Sequence, residues 1–147
     1  MIQMSSTKSD TESQLRKARV LGIIFLAYAI VLPFFILLIP ESEIPASTGP
    51  IEMLSWLMML LMPIEILLIY FSYRHFGKKS DLVNIMGPSI LMYTFASVPS
   101  IYAFVIGFVE SNLRLIAIPL GLTFSLIGFW LASMYSTKLW EATASLH

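Results

Sequence analysis

The sequence predicts an all-α integral membrane protein with four transmembrane helices and both termini in the cytoplasm. Three observations predict it. The 147 residues are 57% hydrophobic and 12% charged, with a mean hydropathy of +0.81; soluble domains average about 45–50% apolar and about 25% charged residues. Four apolar runs each reach or exceed the roughly 20 residues that a helix needs to cross about 30 Å of hydrocarbon. The lysines and arginines, finally, fall almost entirely on one side of those runs, the side that the positive-inside rule assigns to the cytoplasm.

Residues 1–19, MIQMSSTKSDTESQLRKAR, form a polar cytoplasmic segment. It has no apolar stretch and no small-residue cleavage site, so it does not read as a cleaved signal peptide, and the first span itself directs insertion. Asp10 and Thr11 predict a helix start, continuing through Gln14 and Arg16 into that span. The four-helix membrane domain then occupies residues 20–136. Its spans are predicted at about 20–39 (VLGIIFLAYAIVLPFFILLI), 53–73 (MLSWLMMLLMPIEILLIYFSY), 83–109 and 115–136 (LIAIPLGLTFSLIGFWLASMYS). Inside lipid every backbone group must be paired within its own segment, which requires helices. Barrel strands would be shorter and would alternate in polarity. The connections are PESEIPASTGP (40–50) outside, RHFGKKSD (74–81) inside, and ESNLR (110–114), a tight outside turn; residues 137–147 form a short cytoplasmic tail.

On the inner side lie Lys8, Arg16, Lys17, Arg19, Arg74, Lys78, Lys79 and Lys138. The outer side has Arg114 alone, among Glu41, Glu43, Glu52 and Glu110. Trp56 falls near an outer span end, Tyr70, Tyr73 and Tyr135 fall near inner ends, and Trp140 follows just beyond, where amphipathic rings favour the membrane interface.

Several function classes find no support. There is no cysteine, hence no disulfide, thiolate ligand or redox motif. No basic patch suggests nucleic acid. No His–Glu metal spacing, nucleophilic triad or glycine-rich phosphate loop occurs, so the sequence points to no catalytic residue, metal or cofactor. Met53, Met58, Met59 and Met62 offer soft thioethers suited to copper, but methionine more commonly fills gaps in packing. His75 reads as an interfacial anchor and His147 as a chain end. Arg74, Lys78 and Lys79 suit contact with anionic headgroups, which also fits their topological role.

Two spans carry stripes of small residues. Ala96, Ser100, Ala103 and Gly107 share one face of the third span, and Ala117, Gly121, Ser125, Gly128 and Ala132 share one face of the fourth. Helices associate closely in lipid through small residues. These stripes are expected to face each other, or a second subunit. The second span has neither glycine nor alanine and is expected to present its bulk to lipid or a partner.

Glu65, in PIEILL, is the one carboxylate deep within a span. Insertion scales put a charge there at about 2.5–3.5 kcal/mol, so it must face protein or water, or carry a proton. By depth it lies just cytoplasmic of the midplane, level with Tyr93, Thr94 and Ser97, with Tyr102 about a turn further out. Glu65, Tyr93, Thr94, Ser97 and Tyr102 are therefore a candidate intramembrane polar cluster. A protonated Glu65 bonded to Tyr93 or Ser97 would be a neutral structural lock; an ionisable one would be a proton or cation site. Pro63 is expected to kink the helix beside it and free a carbonyl.

Lys78, Lys79, Ser80, Asp81 and Leu82 precede the third span, and Ala96, Ser97, Val98, Pro99, Ser100, Ile101, Tyr102 and Ala103 follow within it. In this order, about residues 78–108, or about a fifth of the chain, the sequence resembles the carboxyl-terminal helix of rotary ATPase proteolipid c subunits. The resemblance implies a helix running outward from a cytoplasmic loop with an ion-binding position at Ser97. A serine there supplies a neutral oxygen in place of the family's carboxylate, and the preceding span is bulky where the family's is glycine-rich.

Function is accordingly expected to be non-catalytic. The chain reads as an accessory or structural subunit of a larger membrane complex, of a respiratory, ATP-synthesising or membrane monooxygenase type, whose partners are other integral membrane subunits and lipid of the cell membrane. The alternative is a small ion- or proton-translocating protein centred on Glu65.

Overall fold

The computed structural model describes residues 2–44, 49–78 and 84–145, with side chains from residue 12 onward. The expectations for Lys8, the Asp10–Thr11 cap side chains, Lys79, the Ser80–Leu82 stretch, the start of the third span at residue 83 and His147 lie outside the described residues.

Four helices make the molecule: α1 (Ile2–Leu37), α2 (Pro50–Gly77), α3 (Met86–Val109) and α4 (Ser111–Ala144), with a short 3₁₀ turn at Glu41–Glu43 between the first two. All four are long and apolar enough to cross a membrane, over Glu12–Leu37, Pro50–Gly77, Met86–Val109 and Ser111–Ala144. Among the described residues there are no strands. Each helix tolerates one internal proline, Pro33, Pro63, Pro99 and Pro119 respectively, and α2 runs as one helix through Pro63.

The helices exceed their predicted spans. α1 begins at Ile2, eight residues before Asp10, and α4 continues through Ala144, so residues 137–144 of the expected tail are helical. The expected five-residue turn 110–114 is shorter still. Glu110 alone is extended (φ −147°, ψ 109°), and Ser111 already begins α4. The polarity of ESNLR signals a turn, but its last residues have a use inside the helix, described below.

The packing order follows from a few contacts. Gln14 Oε1 accepts from the Ile85 backbone N–H (3.2 Å), Gly22 faces the Tyr93 ring, and Ile36 faces Gly107; all three pairs share an offset of 71 residues. α1 and α3 therefore run parallel in a fixed register. α3 and α4 run antiparallel, with Ala96 on Gly128, Ser100 on Ser125 and Ala103 against Gly121. α2 is antiparallel to α3 and parallel to α4, where Tyr73 stacks on Tyr135 (4.3 Å between centroids, 9° between planes) and Gly77 meets Leu139. The connectivity is up-down-up-down. α1 and α2 both pack against the α3–α4 hairpin rather than against each other.

The hairpin is the core because its faces are small. Every stripe residue on α3 and α4 is buried. A β-carbon on Gly121 would lie 2.4 Å from that of Ala103, so the backbones approach as closely as glycine allows. Ser100 Oγ donates to Ser125 Oγ (2.9 Å), which also accepts from the Ser100 N–H (3.1 Å). α1 contributes a buried row of its own, Leu15, Ala18, Gly22, Ala29, Pro33 and Ile36. α2 contributes Ser55, Met59, Met62 and Ile69, and its methionines fill the gap beside Ala103, Ile106 and Ala117.

Outside this core the surface is oily. Half of the apolar window of α3 is buried, against 22% for α1 and α2. Ile23, Val31, Phe35, Leu38, Met53, Trp56, Leu60, Leu67 and Trp130 are among many large side chains left exposed. Soluble monomers rarely expose apolar patches beyond a few hundred Å², and this continuous belt along four spanning-length helices belongs to a multi-pass membrane protein.

Candidate functional site

The apolar row of α2 that meets the hairpin recurs every three or four residues, and Glu65 stands at its edge, two residues after Pro63. The helix thus turns its one intramembrane carboxylate toward α3 without sealing it, and Glu65 remains half-buried. Its partner is Tyr102, whose hydroxyl donates to Glu65 Oε1 at 3.2 Å. The Tyr102 ring packs on the core formed by Met59, Met62, Ala103 and Ile106. α3 places the ring there because Tyr102 adjoins Ala103 on the small stripe, in the turn that follows Pro99.

The other members of the expected cluster lie elsewhere. Tyr93 precedes Tyr102 by nine residues, about two and a half turns, and so points to the opposite side of α3. There its ring covers Gly22 of α1 and stacks on Phe129 of α4 (6.0 Å, 25°). Ser97 is buried but donates to the Thr94 carbonyl within its own helix (2.7 Å), and Thr94, exposed, donates to the Ile90 carbonyl (2.9 Å). Of the five residues, the fold joins Glu65 and Tyr102. The hydrogen bond expected from Glu65 to Tyr93 or Ser97 is made with Tyr102 instead. At Ser97, the carboxylate position of the proteolipid resemblance, the hydroxyl is occupied by its own backbone. Among the described residues no three His, Asp or Glu side chains gather as metal ligands would.

Chemically, the Glu65–Tyr102 pair offers one hydrogen bond, one shared proton position and a carboxyl only partly covered by its own chain. It has the parts of a lock between helices, and of a single protonation site, but among the described residues no second acid or cation continues a path from it.

Two further buried polar residues lie outside the expected cluster. Glu110 is 1% exposed and Arg114 is 3% exposed, at the end of the hairpin where α3 turns into α4. Arg114 donates from Nη1 to the Ile39 carbonyl (2.8 Å) and from Nη2 to the Ile36 carbonyl. It reaches carbonyls at the carboxyl end of α1, where a cation is favoured by the helix dipole, and shares the Ile36 carbonyl with the Ile39 N–H (3.0 Å). Glu110 Oε2 and Arg114 Nε have no hydrogen-bond partner among the described residues. The available signal was the cation itself: an arginine expected to break the positive-inside bias is a candidate for a structural task. At the other end, Ser89, Ser136 and Trp140 place buried polar atoms in the hairpin without a partner among the described residues.

Compared with known proteins, the chain matches no family model, no curated protein and no solved structure.

Proposed function

We propose that this chain is a non-catalytic accessory subunit of a larger multi-subunit assembly in the cell membrane, of a respiratory, ATP-synthesising or monooxygenase type, with both termini cytoplasmic. The observation that carries the reading is the half-covered Glu65 on α2, one of the two least buried helices. A carboxyl at this depth needs cover, from protein or from a water-filled cavity. Its own chain supplies Tyr102 and leaves the rest open. A neighbouring subunit's helix laid along α2 would complete the cover, and the bulky face of Met53, Leu54, Trp56, Leu57 and Leu60 suits an interlocking neighbour. The small-residue stripes, consumed within the hairpin, are not available for that role.

Native purification with mass spectrometry of co-migrating proteins tests the proposal. A stable, stoichiometric set of membrane partners is expected. Glu65→Gln, which keeps an acceptor for Tyr102, should retain that set, and Glu65→Lys should release it. Recovery of the chain alone under mild detergent, with no partner, would overturn the reading.

The Glu65–Tyr102 bond favours one alternative: proton or cation translocation by a homo-oligomer, distantly like a proteolipid ring, in which Tyr102 gates the carboxyl. Flux through reconstituted vesicles, lost in Glu65→Gln, would support that reading and displace the first.

A further inference from the structure

At the end of the bundle where α1 enters the membrane, α1, α3 and α4 do not close completely. They leave a cleft of about 240 Å³ whose walls are Ile23, Leu26, Phe129 and the single polar Ser133, with Tyr93 as its floor. Gly22 makes room for that floor: a β-carbon there would lie 2.6–2.9 Å from the Tyr93 ring. Ile23, 65% exposed, forms the outer lip, so the cleft opens sideways to lipid. Arg19 stands at the mouth, one turn before Ile23. Its Nη2 donates to Thr137 Oγ1 of α4 (3.3 Å), which holds the guanidinium over the opening. Arginine presents five N–H donors in a planar fork suited to phosphate, and Thr137 takes one.

We propose that this cleft holds one anionic phospholipid from the leaflet next to the N-terminal tail, with its phosphate on Arg19 and an acyl chain along Ile23 and Leu26 over the Tyr93–Phe129 pair. From Arg19 to Leu26 the helix descends about 10 Å, which sets the headgroup at the interface and the chain at hydrocarbon depth. The apolar walls exclude a free phosphate metabolite. The cleft is too small for a helix, which is about 10 Å across. The arrangement is repeated on the other flank of α1, where Arg16 and Lys17 stand over a cleft lined by Val20, Leu21 and Met86. Cations set above apolar clefts on both flanks select for negative headgroups. The inference stands apart from the accessory role, since it needs only the membrane setting.

The test uses the full chain, delipidated in detergent and titrated with phosphatidylglycerol or phosphatidylcholine of identical chains, with bound lipids counted by native mass spectrometry. The first phosphatidylglycerol adduct is expected at lower lipid concentration than the first phosphatidylcholine adduct. Arg19→Gln should reduce that preference by about fivefold, the factor that corresponds to one cation near an anionic surface. Ile23→Trp, a change at an exposed position that fills the cleft, should lower the number of bound phosphatidylglycerol molecules by one while Arg19 remains and the cleft under Arg16 and Lys17 is untouched. Inorganic phosphate should not displace the lipid. Equal binding of the two lipids, unchanged preference in Arg19→Gln, an unchanged phosphatidylglycerol count in Ile23→Trp, or displacement by phosphate would each overturn the proposal. Unaltered melting of both variants in phosphatidylcholine nanodiscs confirms that they remain folded.

Discussion

A β-carbon on Gly121 would lie 2.4 Å from the Ala103 β-carbon and 2.6 Å from the Pro99 carbonyl oxygen, and neither neighbour has a flexible end to move aside. Gly121→Ala must therefore push α3 and α4 apart. Overpacking of this kind costs about 1–3 kcal/mol, and a detergent unfolding titration should show a loss in that range. Gly87 provides the contrast. Nothing lies within 4 Å of its missing side chain, so Gly87→Ala should leave stability unchanged or raise it by up to about 1 kcal/mol. Ser125→Ala removes the acceptor for both Ser100 groups; interhelical bonds in membranes average about 0.6 kcal/mol with a maximum of about 1.7, and the same titration should report a loss in that interval. These positions were legible because small residues spaced by three or four declare a helix face. Glu65 was legible for a different reason, as a charge in an apolar run. Its partner was not. Counting residues from span ends gives depth but not rotation about the axis, and depth alone favoured Tyr93 and Ser97 over Tyr102. Only the packing of α3, with its small face turned to α4, decides which tyrosine meets α2.

The elements lengthen where a polar residue has work within the helix. Residues 110–114 read as a turn from composition, yet Asn112 and Arg114 lie in the first turns of α4. The reason is visible at the end of α1. Its last turn tightens, with the Leu38 and Ile39 N–H groups donating to the Phe35 and Ile36 carbonyls, and Pro40 follows Ile39 and cannot donate a further helical bond. Arg114 reaches the Ile36 and Ile39 carbonyls from α4 with two guanidinium nitrogens. Lysine, with one compact ammonium, would not span both carbonyls. Arg114→Leu should therefore free the end of α1, at a cost of about 1.5–3 kcal/mol expected for a hydrogen bond to a charged group, and Arg114→Lys should recover part of it. Hydrogen exchange read by mass spectrometry over residues 34–44 checks this: exchange should accelerate in both variants, more in Arg114→Leu, while peptides at the opposite end of α1 stay unchanged. No sequence pattern announces such a cross-helix cap, because its two halves are more than seventy residues apart.

At the scale of the molecule, four helices could be counted from hydropathy, but their neighbours could not. Successive helices often pack together, and α1 with α2 do not: both lie on the α3–α4 hairpin. The long connection between them imposes no contact, and Ala18, Gly22 and Ala29 fit α1 to α3, where Tyr93 and Met92 fill the space above them. The fixed offset between α1 and α3 also carries a topological consequence. It sets Gln14 beside Ile85 and Arg19 beside Thr137 at one end, and Arg114 beside Ile36 at the other. The described lysines and arginines other than Arg114 then belong to the first end, whose charge should hold it in the cytoplasm. Because the chain has no cysteine, single replacements report one position each. Ser42→Cys and Asn112→Cys, both at exposed positions, should react with a membrane-impermeant maleimide on intact cells. Ser13→Cys and Ser145→Cys should react only after the membrane is opened. Labelling of Ser13→Cys and Ser145→Cys from different sides would contradict an even number of crossings, and with it the parallel register of α1 and α3 on which the hairpin core, the Arg114 cap and the Arg19 cleft all depend.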